Sequence, residues 1–482
     1  MRTGIVRDLI DRIERRHQSA HIDAQRLAVE SLLTAAPKII YDESPEISVP
    51  TRRQFSDLDL DIILQCGQPL CNELAQFAKY GIWSFDFLAK DGLEPSNIDA
   101  EPPSKSDLVS RIGLLCHVAH ADALLLLGRT VIKKHQGISS LSIAETGGQA
   151  AAELLRWKLW QLSQARDKGS GIDALSSKTF FIDPSVDATE SSFNLAIQVA
   201  RKLGGFFGSK ETTTAREWQI GLRNARRGEP WTSDWTDFQW IDAPSGHYFA
   251  DPFLVRHGGD YWLFAENYVS ASEKGVLACA PIRSDGGIGQ WKIVLDLPYH
   301  LSFPLIFDHD GEVYMIPESQ ADGRVELYRA SAFPYAWTKA RTLWHGAGAD
   351  TVPYRGDDGT WYFFTSVQHY KSTPPQLLLY TAPSLESDWQ LHPANPLSLD
   401  VRYARNGGRI LEIPQEGRGP RLIRVSQDGS GNYGSKLHFH QIETLNPLQY
   451  RESLLGSRLP PEGRDGHHHY DRCGEWEVTD IN

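Results

Sequence analysis

The stretch ADPFLVRHGGDYWLFAEN, at residues 250–267, contains two apolar runs separated by a polar turn that includes Gly258 and Gly259. Glycine-containing turns between alternating runs are typical of β-hairpins, so this stretch predicts two paired strands. Four later stretches repeat the pattern of strand, polar glycine-containing turn and second strand. They are SFPLIFDHDGEVYMIPES (302–319), ADTVPYRGDDGTWYFFTS (349–366), ARNGGRILEIPQEGRGPRLIRVS (404–426) and DGHHHYDRCGEWEVTD (465–480).

The spacing of the five copies predicts a repeat architecture. The copies begin about 50 to 60 residues apart, which leaves room for further strands between them. Four strands per copy and five copies predict a five-bladed β-propeller over residues 236–482, closed by a strand at Phe238–Ala243. The intervening strands are predicted at Gly275–Pro281, Val325–Ala330, Leu377–Thr381 and Lys436–Ile442.

The first part of the chain has a different pattern. Apolar residues at helical spacing predict a largely helical domain with some α/β character over residues 1–210, followed by a linker at 211–235. The chain as a whole is therefore predicted to be an α+β multidomain protein. The predicted elements of the first domain are strands at Leu58–Leu64 and Gly81–Phe85 and helices at Ala150–Ala165 and Ala188–Lys202.

Composition and charge argue against several classes of function. The chain has 482 residues and a net charge of −12, which disfavours binding to nucleic acid or to anionic membranes through a basic face. Its five cysteines form no CxxC pair, so neither a disulfide framework nor a structural zinc site is expected. The 14 Trp, 17 Tyr and 19 Phe residues suit a hydrophobic core or platforms for sugar rings, and both interpretations stay open.

The sequence also bears on location. The charged N-terminal sequence MRTGIVRDLIDRIERRHQ lacks the apolar run of a signal peptide. The longest aliphatic run, Ala123–Leu127, is too short to span a membrane. We therefore expect a cytoplasmic protein without a transmembrane segment; its oligomeric state is not predicted.

Acidic residues recur where blades begin. The first strand of each propeller blade lines the central channel, so the residues at its start converge on one mouth. A ring of carboxylates there suits acid/base chemistry on a glycosidic bond, in which one carboxylate activates water and a protonated one donates to the leaving oxygen. Glu266 and Glu318, at the ends of second strands, add to this ring. The predicted starting residues are Asp251, Ser302, Asp350, Arg405 and Asp465.

Two resemblances follow from these motifs. ADPFL followed by a strand ending in Glu resembles the first blade of five-bladed glycosidases of the family 43, 32 and 130 type, in which an early Asp is the base or nucleophile. The longer set FADPFL, YHLSFPLIF, YMIPES, LHPANP and RYARNGG is similar to the propeller of plant glucosamine inositolphosphorylceramide transferases, and to bacterial proteins that join this propeller to a formyltransferase-like domain. The resemblance implies a carbohydrate-related role over residues 236–482.

A further resemblance concerns the first domain. LDLDIILQCGQPL and ELAQFAKYGIWSFDF resemble the core of formyltransferases that use formyl-tetrahydrofolate. The Asn and His of that family's motif fall on Ser84 and Asp86, and its later Asp falls on Leu126 or Leu127. An ionised Asp86 would repel a developing oxyanion. The resemblance therefore implies a degenerate, non-catalytic domain.

The site prediction assigns a role to each residue. Asp251 is the expected base and Glu318 the general acid, while Asp350 orients the site or tunes a pKa. A structural role for each of these carboxylates remains the alternative, because Asp-Pro also initiates turns and carboxylates cap loops. Substrate binding is assigned to His247, Glu266, His300 and Arg405.

No cofactor and no metal are predicted. In a strand only His467 and His469 of the run His467–His469 share a face, and no third ligand is identifiable from spacing. The chain also contains no P-loop, GxGxxG or HExxH motif.

Three functions stay open. The first is a glycoside hydrolase-like or glycan-transferring enzyme with its site at the propeller mouth and a carbohydrate or glycolipid substrate. The second is a non-catalytic glycan-binding or scaffolding module. The third is formyl or acyl transfer to an amino sugar.

Overall fold

A computed structural model describes a minor part of the first 217 residues and most of the remainder. The described residues are 62–64, 75–87 except 77 and 79, 109–117, 124–133, 150–162 except 152, 218–225, 229–368, 375–415, 417–431 and 433–482. The predicted helix at Ala188–Lys202 lies outside them. The chain divides into two compact units, residues 1–210 and 211–482. Within the described part, no helix combines the length and apolar character needed to cross a membrane.

The described part of the first unit is one sheet and one helix. β1 pairs in parallel with β2, and the remaining neighbours are antiparallel, in the order β1-β2-β3-β4. The helix, α1, covers residues 150–162 and buries Leu154, Trp157 and Leu162. The strands are β1 (Ile63–Leu64), β2 (Ile82–Phe87), β3 (Val109–His117) and β4 (Leu124–Lys133).

The predicted α+β class, with a largely helical formyltransferase-like half, was wrong. The described residues of the chain are dominated by β-strands, and α1 is the one α-helix among them. The apolar runs of β3 and β4 were not predicted as strands, because a short continuous apolar run fits a buried strand and a buried helix equally well. Ser84 and Asp86 lie within β2, where they pair with Leu115 and Gly113 of β3.

Five sheets lie among the described residues of the second unit. In sheets 1, 2 and 3 the strands follow one another in chain order, whereas β5 and β6 complete sheet 5 beside the last two strands of the chain. Sheet 1 is β7 (His247–His257), β8 (Asp260–Val269), β9 (Lys274–Ile282) and β10 (Lys292–Leu295). Sheet 2 is β11 (Ser302–His309), β12 (Glu312–Glu318), β13 (Val325–Ala332) and β14 (Ala336–Trp344).

The other sheets have the same antiparallel pairing. Sheet 3 is β15 (Gly348–Arg355), β16 (Trp361–Val367), β17 (Gln376–Ala382) and β18 (Gln390–Leu391). Sheet 4 is β19 (Arg405–Asn406), β20 (Leu411–Gln415), β21 (Arg418–Gln427), β22 (Leu437–Asn446) and β23 (Gln449–Arg458). Sheet 5 is β24 (Tyr470–Cys473), β25 (Trp476–Ile481), β5 (Gln219–Asn224) and β6 (Gln239–Ile241).

These pairings confirm the predicted hairpins and intervening strands. β6 is the edge strand of sheet 5, as expected for Phe238–Ala243. β5 lies within residues 211–235, the predicted linker, and pairs with β25.

Contacts between successive sheets close into a ring, which is the architecture of a β-propeller. Each contact joins a residue at or near the first strand of one sheet to the next sheet. The contacts are Phe253 with Phe303 (ring centroids 4.8 Å apart), Phe307 with Trp361 (5.6 Å), the Asn406 Nδ2 donor with the Asp350 carbonyl (2.9 Å), the Tyr470 amide with the Gly407 carbonyl (2.8 Å), and the Leu254 amide with the Asp471 carboxylate (2.8 Å).

A β-bulge recurs in the first strands of sheets 1, 2 and 3. In sheet 1, Ala250 pairs with Glu266 and Phe253 with Phe264, so two residues of β7 oppose one of β8. β11 and β15 have the same irregularity after Ser302 and Ala349. The first bulged residue has a positive φ in each case: 49° at Asp251, 47° at Phe303 and 48° at Asp350. Bulges re-aim side chains, and here they set the direction of two carboxylates.

Candidate functional site

The bulges place Asp251 and Asp350 in a buried cluster with Glu266 and Glu318. Residue exposures are 5% for Asp251, 6% for Glu266, 7% for Glu318 and 1% for Asp350. Glu318 ends β12 as predicted, whereas Glu266 lies within β8, and each is opposite the residue that precedes a bulge. The predicted catalytic residues and Glu266 therefore lie in one electrostatic group: the charges of Asp251, Glu318 and Asp350 raise the pKa of Glu266, and those of Asp251 and Asp350 raise the pKa of Glu318.

The residue predicted for this position in sheet 2, Ser302, was wrong. Phe303, not Ser302, has the backbone position of Asp251 and Asp350, and its ring packs against His469 (5.2 Å between centroids). Ser302 instead lies beside Glu318, with its Oγ 3.4 Å from Glu318 Oε2. Sheet 2 thus contributes its carboxylate from the second strand alone.

Glu318 has an environment that favours its protonated form. Burial raises its pKa to about 7, and the negative charge of Asp350 adds to the effect. Arg405 and the Gln320 amide, which donates to Glu318 Oε1 at 3.0 Å, oppose that rise. A carboxyl group with such a pKa is a proton donor near neutral pH.

Asp251 lies in the opposite kind of environment. Burial alone would raise its pKa, but the charges of His468, His469 and Arg405 outweigh burial and hold the pKa well below the ordinary value. Asp251 Oδ1 lies 3.3 Å from His468 Nε2 and 3.5 Å from His469 Nδ1. Asp251 is therefore ionised throughout the neutral range.

Two residues of the run His467–His469 lie beside Asp251 and contact its carboxylate. His468 Nδ1 lies 2.9 Å from Asp480 Oδ2, and the two carboxylates outweigh burial to raise the pKa of His468. The Asp480 carboxylate also accepts the amides of Asp251, His468 and His469. Side-chain ligand atoms of Asp251, His468 and Asp480 lie within 4.8 Å of one another, so these are the described residues that could hold a metal ion.

Asp350 and Arg405 form an ion pair across sheets 3 and 4. Arg405 Nε donates to Asp350 Oδ2 at 2.6 Å, and Gln427 Nε2 donates to the same oxygen at 3.2 Å. Burial nevertheless raises the pKa of Asp350, against the lowering effect of Arg405. The Arg405 guanidinium lies 5.2 Å from the centre of the Tyr433 ring.

His300 and His247 flank Glu266 and its neighbour. His300 Nε2 is 3.5 Å from Glu266 Oε1, while His300 Nδ1 accepts the Gly275 amide at 3.0 Å. Burial lowers the pKa of His300. His247 Nδ1 pairs with Asn267 Oδ1 at 2.9 Å, one residue beyond Glu266.

Several residues of this site were missed by sequence reasoning. Alternation selected His467 and His469, but His467 is buried against Thr479 Oγ1 and the Arg458 carbonyl, and His468 contacts Asp251. Asp465 is exposed. Trp218 stacks on His468 (3.8 Å between centroids) and lies near Tyr433. The run of three histidines in the sequence was a signal for the residues beside Asp251, whereas no sequence pattern indicated Trp218 or Tyr433.

Comparison with known proteins covers the same part of the chain. Residues 238–470 match the family described as "Glucosamine inositolphosphorylceramide transferase 1, N-terminal". Proteins called glucosamine inositolphosphorylceramide transferase 1 are 33% identical over 239 residues in Oryza sativa subsp. japonica and 32% identical over 238 residues in Arabidopsis thaliana. Each match covers 47% of this chain, and the chain spans only 31% and 30% of those relatives. The propeller is thus similar to the N-terminal region of this family.

Two solved structures match part of the chain. They are RS223 β-xylosidase (TM-score 0.36, 12% identity, 49% of this chain and 92% of that one) and the exo-β-1,3-galactanase 1,3Gal43A of Clostridium thermocellum (0.38, 14%, 54% and 65%).

Proposed function

We propose that this chain is a carbohydrate-active protein whose five sheets are the blades of a five-bladed propeller and whose pocket cleaves or transfers a glycosyl unit. The observation that carries the proposal is the opposite tuning of two buried carboxyl groups. Asp251 is held ionised by His468 and His469, and the pKa of Glu318 is raised to about 7. Pairs of carboxyls with separated pKa values are the usual arrangement for acid/base work on glycosidic bonds.

Each residue then has a defined task. Asp251 activates water or another acceptor, and Glu318 donates a proton to the leaving oxygen. Asp350 keeps the pKa of Glu318 high through its negative charge and fixes Arg405 through their ion pair. His247, His300 and Glu266 contact the sugar. A carbohydrate or glycolipid substrate is in keeping with the name of the relatives.

A second function, glycan binding without turnover, is favoured by one observation. Asp251 is tied to two histidines, and a carboxylate whose pKa is held so low is a weak base. The same pocket would then hold a sugar without activating an acceptor.

Mass spectrometry of reaction mixtures separates these functions. The chain and its Asp251→Asn variant are incubated with oligosaccharides, nitrophenyl glycosides and nucleotide sugars, with and without phosphate. Asp310→Asn is the matched control, because Asp310 also has a positive φ (50°) and is exposed. We expect a product from the wild-type chain and from the control but not from Asp251→Asn. Binding by all three without any product would establish the binding module instead.

A further inference from the structure

Sheet 4 contains two buried histidines that the proposed carbohydrate site does not use. Leu437 and Phe439 of β22 pack in a hydrophobic cluster, and the alternation of the strand places His438 and His440 on the other face. The Tyr403 ring contacts both imidazoles on that face, with centroids 4.9 Å and 5.1 Å apart. Each imidazole also lies beside a serine hydroxyl, which is the pair from which nucleophilic serines are built.

His438 connects a hydroxyl group to a carboxylate. Its Nδ1 lies 2.7 Å from Ser457 Oγ, and its Nε2 lies 3.0 Å from Asp428 Oδ2. Ser457 is directly opposite His438 in the pairing of β22 with β23, so the backbone keeps the two side chains together. Asp428 is buried, and its Oδ1 accepts the Ser430 amide at 2.7 Å, which fixes the carboxylate. Hydroxyl, imidazole and carboxylate thus have the order found in serine hydrolases.

The protonation states decide the direction of these hydrogen bonds. Burial alone would raise the pKa of Asp428, but its contact with His438 outweighs burial and holds the pKa below the ordinary value. The ionised carboxylate can only accept, so His438 Nε2 carries a proton. Burial lowers the pKa of His438, and the charges of Lys436 and Arg402 add to the effect of burial, against Asp428. The neutral ring then has an unprotonated Nδ1, to which the Ser457 hydroxyl donates.

The second serine–histidine pair of sheet 4 differs in two respects. Ser426 Oγ lies 3.0 Å from His440 Nε2, but Ser426 is fully buried. Glu452 Oε1 is 3.7 Å from His440 Nδ1, beyond hydrogen-bond distance, and the Glu452 carboxylate accepts two hydrogen bonds from Arg424. Ser457, in contrast, lies on β23, the outer strand of the sheet, and is partly exposed. Ser457 is therefore the serine of the two that an external substrate can approach.

Apolar side chains lie close to Ser457 in sequence. Leu454 is 38% exposed on β23, and Leu459, directly after this strand, is 53% exposed. Exposed leucines on both sides of a serine offer apolar surface to an acyl chain.

We propose that Ser457, His438 and Asp428 form a second active site, which hydrolyses carboxylic esters with a short apolar acyl chain. This activity is independent of the proposed carbohydrate function. Ser457 Oγ attacks the carbonyl carbon of the ester, and its proton passes to His438 Nδ1. The bond between the carbonyl carbon and the alcohol oxygen breaks, and the alcohol leaves with that proton. Water then attacks the acylated serine and gives a proton to His438 Nδ1, which returns it to Ser457 Oγ as the carboxylic acid leaves.

Reaction of the full chain with an alkyl fluorophosphonate, followed by peptide mass spectrometry, tests the nucleophile. We expect the label on Ser457 and its loss in Ser457→Ala. His438→Gln should slow the labelling at least about a hundredfold, because a general base contributes this much. Ser453→Ala is the matched control, since Ser453 is exposed on the same strand, opposite Gln441, and its replacement should leave the rate unchanged. Labelling of other residues alone, or an equal rate in His438→Gln, would overturn the proposal.

Hydrolysis of 4-nitrophenyl butyrate tests the substrate class. The wild-type chain and Ser453→Ala should release nitrophenolate at equal rates, and Ser457→Ala should not exceed the rate of the uncatalysed reaction. Equal release by Ser457→Ala would overturn the esterase assignment. None of these outcomes bears on the carbohydrate site, whose test uses Asp251→Asn.

Asp428 is a positioning residue, and its effect is read from the tautomer of His438. The ¹⁵N NMR shifts of His438, assigned with His438→Gln, should show a proton on Nε2 and an unprotonated Nδ1 at pH 7. In Asp428→Asn the Ser430 amide retains the side-chain oxygen, so the new NH₂ group faces Nε2 and the ring proton moves to Nδ1. Labelling of Ser457 should slow with this change. A proton on Nδ1 in the wild-type chain, or undiminished labelling once Asp428→Asn has moved the proton, would overturn the assignment.

Discussion

Asp251 and Asp350 occupy the same position in two different sheets, each as the first residue of a β-bulge with a φ close to 50°. Their surroundings move their pKa values in opposite directions. His468 and His469 hold the pKa of Asp251 low, whereas burial raises that of Asp350 despite its ion pair with Arg405. The same bulge geometry therefore positions both carboxylates, and contacts with neighbouring sheets determine which protonation state of each carboxyl group is favoured.

Asp350→Asn should lower the pKa of Glu318 below about 7. The substitution removes a negative charge that raises this pKa and frees Arg405, whose charge lowers it. Asn also tolerates a positive φ, so the bulge should persist. The pKa is measured by NMR titration of chain labelled with ¹³C at the glutamate carboxyl carbon, with the Glu318 signal assigned from Glu318→Gln. Asp310→Asn should leave it unchanged. An unaltered pKa in Asp350→Asn would contradict the proposed tuning.

Glu318→Gln should stabilise the protein at pH 8. A carboxyl group whose folded-state pKa is raised from 4.5 to about 7 favours folding while protonated and loses that contribution as pH rises from 4.5 through about 7. The shift corresponds to about 3 kcal/mol at pH 8, as an upper value. Urea unfolding at pH 8 and pH 4 measures the difference. A gain that is equal at both values would show that ionisation of Glu318 is not its cause.

Arg409 joins three sheets, and its removal should destabilise the propeller. Its guanidinium pairs with Asp471 at 2.6 Å and donates to the carbonyls of Leu254 and Ile306. Arg409→Met leaves the fully buried Asp471 without its cation, which costs about 3–5 kcal/mol in comparable cases.

Arg402→Met is the control for Arg409→Met. Arg402 also makes a bidentate pair, but with Asp400, two residues away in the same segment. Its loss should cost less than the loss of Arg409, because the Asp400 side chain is 12% exposed and can be hydrated, whereas that of Asp471 is fully buried. Equal changes in the free energy of unfolding for both variants would show that Arg409 does not tie the sheets together.

The repeat was predictable because its signals are local. Apolar alternation and turns such as Gly258–Gly259, where both glycines have a positive φ, define hairpins without knowledge of the rest of the fold. Asp251 and Asp350 were found because they lie in the first strands of such hairpins. The strands β3 and β4 were missed because their apolar runs lack a diagnostic period.

Which residues line the site depends on strand register, and local sequence patterns do not determine register. Ser302 precedes the bulge of its strand, as Ala250 and Ala349 do, so the residue of sheet 2 that is equivalent to Asp251 and Asp350 is Phe303. His467–His469 precede β24 and lie outside a strand, so the two-residue alternation of a strand does not apply to them; it selected His467, which is buried against Thr479, over His468. Trp218 and His468 come together through the pairing of β5 with the last strand of the chain, a contact between residues far apart in sequence.

Tyr433 should provide an aromatic surface for the sugar. Tyr433 is 54% exposed, and its ring centre lies 6.3 Å from that of Trp218 and 5.2 Å from the Arg405 guanidinium. Tyr433→Ala should weaken glycan binding about five- to tenfold, because an aromatic contact contributes roughly 1 kcal/mol. Tyr335→Ala is a matched control, since Tyr335 is 38% exposed and has the Lys292 ammonium 4.3 Å from its ring in sheet 2, away from the carboxylates. Calorimetric titration with a glycan that binds the wild-type chain compares the two variants. Equal affinities would mean that the sugar does not reach the Tyr433 ring and that the pocket binds it through the carboxylates and histidines alone.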